Sequence, residues 1–160
     1  MILAVDPALR NTGLVLLDGR RVVEFETAKT EKGLPDCDRM LATINVYRAW
    51  LTKADAVAIE EQHGVLIGKA GRHETNAKAF RGAQLAAVMW HLAVMNGLPF
   101  VWVRVEAWKR AIGVSKSASN AQVRRAVTTL LEWPAGRLNE HVSDAAGIGF
   151  CGERLLRRVR

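Results

Sequence analysis

Two acids close two apolar runs in this chain. Ile2 to Asp6 reads ILAVD and Ala56 to Glu60 reads AVAIE, each with the character of a buried strand that ends in a carboxylate. In open α/β sheets, ligands and chemistry collect at the carboxyl ends of strands. Two carboxylates brought to one sheet end repel each other unless a cation lies between them. Either acid alone is also accounted for by a strand reaching water; the pair points to cation-assisted chemistry. Glu61 follows Glu60, but successive strand residues point to opposite faces, so a regular strand aims only one of them at a given site. A third stretch, HVSDAAGIGF, sets His141 three residues before Asp144, on one face of a helix. That spacing suits two metal ligands and equally the polar start of a core helix. The readings are compatible. Ala145, Ala146, Gly147 and Gly149 would let one face pack close to the first strand while the first turn holds a cation. An imidazole ligand suits Mn²⁺ better than Mg²⁺ and binds only when neutral, above the ~6.5 of an unperturbed His.

The elements that must position these residues are readable in order. After the Ile2–Asp6 strand, Gly13 to Asp18 and Arg21 to Thr27 flank the turn Gly19-Arg20 as in a hairpin. Asp36 to Lys53 carries Met40, Leu41, Ile44, Val46, Tyr47 and Trp50 at the spacing of one helix face. Ala56 to Ile59 is a second buried strand ending in Glu60. Gly64 to Arg72 is glycine-rich and basic and reads as a loop. Glu74 to Asn96 is alanine-rich and helical, with Gly97 suited to its C-cap. Phe100 to Val105 reads as a strand. Ser119-Asn-Ala-Gln122 has the form of a capping box and opens a helix to about Glu132. His141 to about Arg158 is the last helix. Three hairpin strands followed by βα alternation imply one α/β domain, a mixed sheet with helices on its faces.

Composition narrows the partner. The chain has 160 residues, 49% hydrophobic and 24% charged, an ordinary globular balance. No apolar run approaches the ~20 residues of a membrane span. The opening MILAVDPA has no basic leader followed by an apolar segment. Cys37 and Cys151 are isolated and indicate neither a disulfide framework nor a zinc site. A cytoplasmic protein is the expectation. The net charge of +7 and a pI near 10.0 favour a polyanionic partner, DNA or RNA, because many modest phosphate contacts add up through counterion release.

The stretches ILAVDPALRNTGLVLLD, AVAIEEQ, VEAWKRAIGVSKSASNAQVRRAV and HVSDAAGIGF occur in this order from Ile2 to Phe150. Each is weak alone. Ordered and spaced as they are, they resemble the RuvC family of Holliday junction resolvases, metal-dependent DNA endonucleases with a ribonuclease H-like fold. The resemblance implies a mixed five-stranded sheet with helices on both faces, forming a single nuclease domain over residues 1–160. It places the catalytic acids on Asp6, Glu60 and Asp144, with His141 at a position that is Asp in many members and His in some. Lys109 matches the first of two active-site lysines; Lys116 is the nearest match to the second, with a shifted register. Ala8 replaces the usual glycine after Asp-Pro, and His63 stands where relatives often carry a junction-stacking aromatic.

Phosphodiester hydrolysis needs a nucleophilic water, charge stabilisation on the phosphate and help for the departing 3′ oxygen, which two divalent ions ~4 Å apart can supply. Hard Mg²⁺ prefers oxygen ligands, so a few carboxylates suffice. On this reading Asp6 bridges two Mg²⁺, with Mn²⁺ as a substitute. Glu60 holds one ion, His141 and Asp144 hold the other, and Lys109 neutralises the scissile phosphate. The products carry a 5′-phosphate and a 3′-hydroxyl.

The resemblance implies branched DNA, a four-way junction, as the substrate, and symmetric cutting of two strands implies a homodimer. Phe80, Leu85, Val88, Met89, Leu92 and Met95 on the long helix serve either that contact or the monomer core. Lys69, Arg72, Lys109, Lys116 and Arg124 are candidates for DNA contact, with the basic loop Gly68 to His73 and the tail Arg154, Arg157, Arg158 and Arg160. Such backbone contacts position DNA and carry little sequence information. A branch-migration motor is not readable. Three other readings compete: a ribonuclease H-like nuclease acting on forks, flaps or RNA–DNA hybrids, an actin-like or sugar-kinase-like ATPase, and a non-catalytic DNA-binding relative. The first shares the carboxylates, so only substrates separate it. The ATPase needs further glycine-rich nucleotide contacts. The third has no reason to gather acids beside DNA.

Overall fold

Five strands and five helices follow one another in a computed structural model that describes residues 1–62, 74–134 and 138–159. The strands are β1 (Ile2–Asp6), β2 (Asn11–Asp18), β3 (Arg21–Lys29), β4 (Ala56–Glu60) and β5 (Phe100–Val103). The helices are α1 (Asp36–Leu51), α2 (Glu74–Met95), α3 (Val105–Ala111), α4 (Asn120–Leu130) and α5 (Glu140–Val159). The sheet order is β3-β2-β1-β4-β5. β1 is central, antiparallel to β2 and parallel to β4. This is the mixed five-stranded sheet expected from the sequence.

Strand parity sorts the core into two layers. Ile2 and Ala4 of β1, with Ala56 and Ala58 of β4, face α3, α4 and α5, where Trp108, Val123, Val127, Val142, Ala145 and Ile148 are buried. Leu3, Val5, Val57 and Ile59 face α1 and α2, against Tyr47, Trp50, Leu85 and Met89. The Tyr47 hydroxyl donates to the Met89 carbonyl at 3.0 Å and ties these two helices together. Because both sheet faces are covered, β1 and β4 read as unbroken apolar runs rather than alternating ones.

Several element ends differ from the sequence reading, two of them for plain local reasons. β5 ends at Val103 because its only neighbour, β4, ends with it: Glu60 pairs with Val103 and the Glu61 N–H donates to the Val103 carbonyl. Freed from the sheet, the chain enters α3 at Val105, a helix the sequence reading missed by running the strand on to that residue. α4 does open on the Ser119–Gln122 capping box, but it stops at Leu130 because Glu132 is drawn into a bridge with Arg21. Along α1, the buried residues are Arg39, Thr43, Tyr47, Trp50 and Leu51, whereas Leu41 is exposed. Among the described residues, no helix is long and apolar enough to cross a membrane.

α5 makes the contact that matters most for the site. It lies across β2, β1 and β4 with a face of small residues turned to the sheet. At Gly149 an added Cβ would stand 2.3 Å from Leu17 Cδ1 and 2.8 Å from the Ala4 Cβ, so only glycine permits this approach. Overpacking of this kind typically destabilises by about 1–3 kcal/mol. For a chain of this size, Gly149→Val should therefore lower the thermal midpoint by roughly 3–10 °C, measured by calorimetry. An unchanged midpoint would mean that α5 does not seat as described.

Candidate active site

β1 and β4 run parallel with Ala4 beside Ala58 and Val5 beside Ile59. One step further, Asp6 and Glu60 stand abreast on neighbouring strands ~4.8 Å apart, both on the α5 side of the sheet. Parity thus selects Glu60 over Glu61. Glu61 pairs instead with Arg104, its carboxylate accepting from Nε at 2.9 Å.

The third acid arrives from α5. Asn139 accepts the Val142 N–H on Oδ1 at 3.1 Å, capping the helix start, and its amide donates to the Thr27 hydroxyl of β3 at 2.7 Å. The first turn of α5 is thereby pinned to the sheet edge. Gly13, the register partner of Asp6, lies directly beneath it: a Cβ there would come within 2.1 Å of the His141 carbonyl oxygen. The glycine of the first motif therefore exists to admit the fourth. Between Asp6 and Gly13 the loop is closed by Thr12, whose buried hydroxyl donates to the Ala8 carbonyl at 2.7 Å. Among the described residues only glycines adopt positive φ, so Ala8 occupies this loop without strain.

Charge is concentrated here. His141 Nδ1 lies 3.1 Å from Asp6 Oδ2, and Asp6 is 9% exposed. That hydrogen bond raises the His141 pKa above the ordinary imidazole range, against the opposing effect of burial. Glu60 is pushed up to about 7, first by burial and then by the negative charges of Asp6 and Asp144, with the Trp108 hydrogen bond and Lys109 acting the other way. Asp144 is pushed up to about 7 by burial, Asp6 and Glu140, opposed by Lys109 and His141. These mutual effects place Asp6, Glu60, Asp144, His141 and Lys109 in one electrostatic cluster. Among the described residues, no three His, Cys, Asp or Glu side chains converge on a single point. Glu60 is turned toward the Trp108 indole at 2.9 Å and the Gln62 amide at 2.8 Å, while Asp6 engages His141. Oxygen-rich and over-charged, the set has the donor chemistry of a hard divalent cation.

The candidate cations differ in where they sit. The Lys109 ammonium donates to the Lys116 carbonyl at 2.9 Å and lies 5.5 Å from the Trp108 ring. The Lys116 ammonium itself pairs with Glu106; the backbone of Lys116, rather than its charge, touches the cluster. Arg124 is exposed on α4. The tail is set apart from the acids. α5 spans ~30 Å at 1.5 Å per residue, and Arg157 lies at the opposite sheet end, lining a cleft with Met1, Asp18 and Asp55. His63, Lys69, Arg72 and Arg160 fall outside the described residues. Two participants escaped the sequence reading, Trp108 and Gln62. Trp108 belongs to the missed helix α3, whose short apolar spacing (Val105, Trp108, Ile112) was the available signal.

Comparison with known proteins gives one consistent family. The family model described as crossover junction endodeoxyribonuclease RuvC matches residues 2–152. A protein of that name from Frankia alni is 32% identical over 94% of this chain and 76% of its own length. One from Parafrankia sp. is 31% identical over 94% of this chain and 84% of its own. Among solved structures, T. thermophilus RuvC in complex with a Holliday junction substrate superposes with a TM-score of 0.74 at 22% identity, covering 99% of this chain and 95% of that one. The Thermus thermophilus RuvC structure gives 0.70 at 21% identity, covering 99% and 96%. These superpositions establish the ribonuclease H-like fold.

The raised carboxyls make a stability prediction for the metal-free protein. A carboxyl whose pKa is higher folded than unfolded contributes most below the unfolded value, and that contribution is lost as pH rises through the folded one. For Asp144 this window runs from 3.8 to about 7. In chelator, Asp144→Asn should melt several degrees above the unaltered protein at pH 8, with the gain vanishing toward pH 4. A pH-independent difference would remove Asp144 from the charged cluster.

Proposed function

The chain belongs to the RuvC family of crossover junction endodeoxyribonucleases, and from that membership we propose that it resolves four-way DNA junctions by paired symmetric nicks, through divalent metal held at Asp6, Glu60, Asp144 and His141. The observation that carries this reading is the gathering of three carboxylates from β1, β4 and α5 at one sheet end, where Glu60 and Asp144 are pushed up to about 7 by burial and then by the charge of Asp6. A nuclease has a use for that arrangement. A mere DNA-binding surface would be weakened by it, since it repels phosphate.

Two Mg²⁺, or Mn²⁺ in their place, would activate the attacking water and stabilise the departing 3′ oxygen when bound. The chain's own residues do the rest. Asp6, nearly buried between Glu60 and His141, would be the central ligand. Trp108 and Gln62 hold the Glu60 carboxylate from two sides, fixing its rotamer. His141, on Asp6, presents its ring beside the same carboxylate. Lys109, anchored by the carbonyls of Lys116 and Ala118, brings positive charge to the scissile phosphate and supports a leaving group on the 3′ side. The products carry 5′-phosphate and 3′-hydroxyl ends.

The single nuclease domain acts as a homodimer in the cytoplasm, its two-fold axis matched to the symmetric cuts. Exposed Phe80, Val88, Trp90, Val94 and Met95 on α2 form an apolar surface suited to the dimer contact, while Leu85 and Met89 of the same helix fill the core. Lys69, Arg72, Lys109, Lys116 and Arg124 contact DNA backbone.

The test is a substrate panel of four-way junction, fork, linear duplex and RNA–DNA hybrid with Mg²⁺ or Mn²⁺. The expected result is paired symmetric nicks in the junction alone. Asp6→Asn should still bind junctions but cut them about a thousandfold more slowly, some 4 kcal/mol of barrier. Equal cutting of forks or hybrid, or retained cleavage by Asp6→Asn, would overturn the assignment.

A further inference from the structure

One buried cation meets no carboxylate among the described residues. Arg39 is 6% exposed on the inner face of α1, yet its Nε makes no hydrogen bond, and among the described residues its guanidinium meets no carboxylate. A buried charge left unpaired is strongly destabilising. One turn on, the Thr43 hydroxyl is also buried and meets no hydrogen-bond partner among the described residues. Both occupy the stripe where the helix pattern calls for apolar side chains. A sequence selected only for folding would place leucine or methionine there.

What Arg39 faces gives it a use. It lines a cleft of about 460 Å³ together with Pro7, Arg10, Asp36, Gln62 and Arg81. Arg81 donates to Asp36 at 2.6 Å, which accounts for one charge pair. Arg10 is exposed at the mouth and Arg39 is buried at the wall, so beyond the Arg81–Asp36 pair the described lining carries two guanidiniums and no second acid. The cleft adjoins the catalytic cluster through both ends of the carboxylate pair: Pro7 follows Asp6 in the chain, and Gln62 donates to Glu60.

We infer that this cleft holds a backbone phosphate of the bound DNA strand, next to the scissile one, with Arg39 and Arg10 as its ligands. Guanidinium pairs bind phosphate bidentately and with fixed orientation. Such a contact sets the register of the strand across the metal site and is a positioning contact rather than a catalytic one. The inference rests on the functional reading above, because it requires DNA to cross this end of the sheet.

The experiment measures four-way junction binding in Ca²⁺ and cleavage in Mg²⁺, using junctions in which single phosphates near the cut are replaced by neutral methylphosphonate. With the unaltered protein, one non-scissile position should weaken binding about tenfold. Arg39→Met, which keeps the aliphatic stem, should lose the same tenfold on the natural junction and become indifferent to methylphosphonate at that position. Its salt dependence of log affinity should also fall by about one unit. Arg10→Gln, at the exposed mouth, should show the same positional coupling. Without DNA, Arg39→Met should melt no lower than the unaltered protein, since it removes an unpaired buried charge; a purely structural arginine would lower the midpoint. If both variants lose affinity equally at every substituted position, the phosphate pocket is overturned while junction cleavage stands. If inorganic phosphate raises the melting point but no position couples, the pocket binds free phosphate and the strand assignment is overturned. If the unaltered protein binds no junction, the functional reading falls and the pocket falls with it.

Discussion

Helix α5 can rest on the sheet only where no side chain intervenes, and every feature of the site depends on that contact. Gly149 admits the helix against Ala4 and Leu17, and Gly13 admits its first turn against β2. With the helix seated, His141 is in hydrogen-bond contact with Asp6 and Asp144 joins the Asp6–Glu60 pair. A single added methyl at Gly13 would force the His141 backbone outward and separate the acids on α5 from those on the strands. The glycines in the first and last motifs are therefore two halves of one steric arrangement.

The same arrangement sets stability against function. The fold spends its most intimate packing on bringing together carboxylates that would each be more stable apart. Burial and mutual repulsion hold Glu60 and Asp144 near pKa 7, and the structure offsets this only in part, through Trp108, Gln62, His141 and Lys109. Polar groups that disfavour folding in this way are characteristic of sites selected for chemistry. Arg39 fits the same pattern with the opposite charge. Acids gather at the strand ends and the Arg39 and Arg10 guanidiniums lie beside them, so that the proposed metal centre and the proposed phosphate-binding wall share one end of the sheet.

Much of this was legible in the residues. Apolar runs ending in acids located β1 and β4 to the residue, because strands buried on both faces leave no room for polar interruption. Parity allowed only one of Glu60 and Glu61 at the site and the motif match chose Glu60, while the spacing of His141 and Asp144 placed both on the first turn of α5. The failures have physical causes too. α3 was hidden because Phe100 to Val105 is uniformly β-prone, and only the end of its partner strand terminates it. Trp108 as a Glu60 donor depends on that helix and was lost with it. Arg39 drew no notice because the apolar spacing follows Met40 and Leu41, while the actual burial stripe runs through Arg39, Thr43 and Tyr47. Tertiary packing on α2, through the Tyr47–Met89 contact, rotates α1 away from the face its hydrophobic residues suggest. Polar residues buried for function are where pattern reading is expected to fail.

In the proposed site, α5 brings its ligands to those of β1 and β4 to hold divalent cation. Anomalous diffraction from crystals soaked in Mn²⁺ tests it most directly. Manganese peaks are expected between Asp6, Glu60 and Asp144, with His141 close enough to ligate, and they should be lost in crystals of Gly13→Val, where the acids themselves are untouched. Strong peaks elsewhere, or full occupancy among the acids in Gly13→Val, would contradict it.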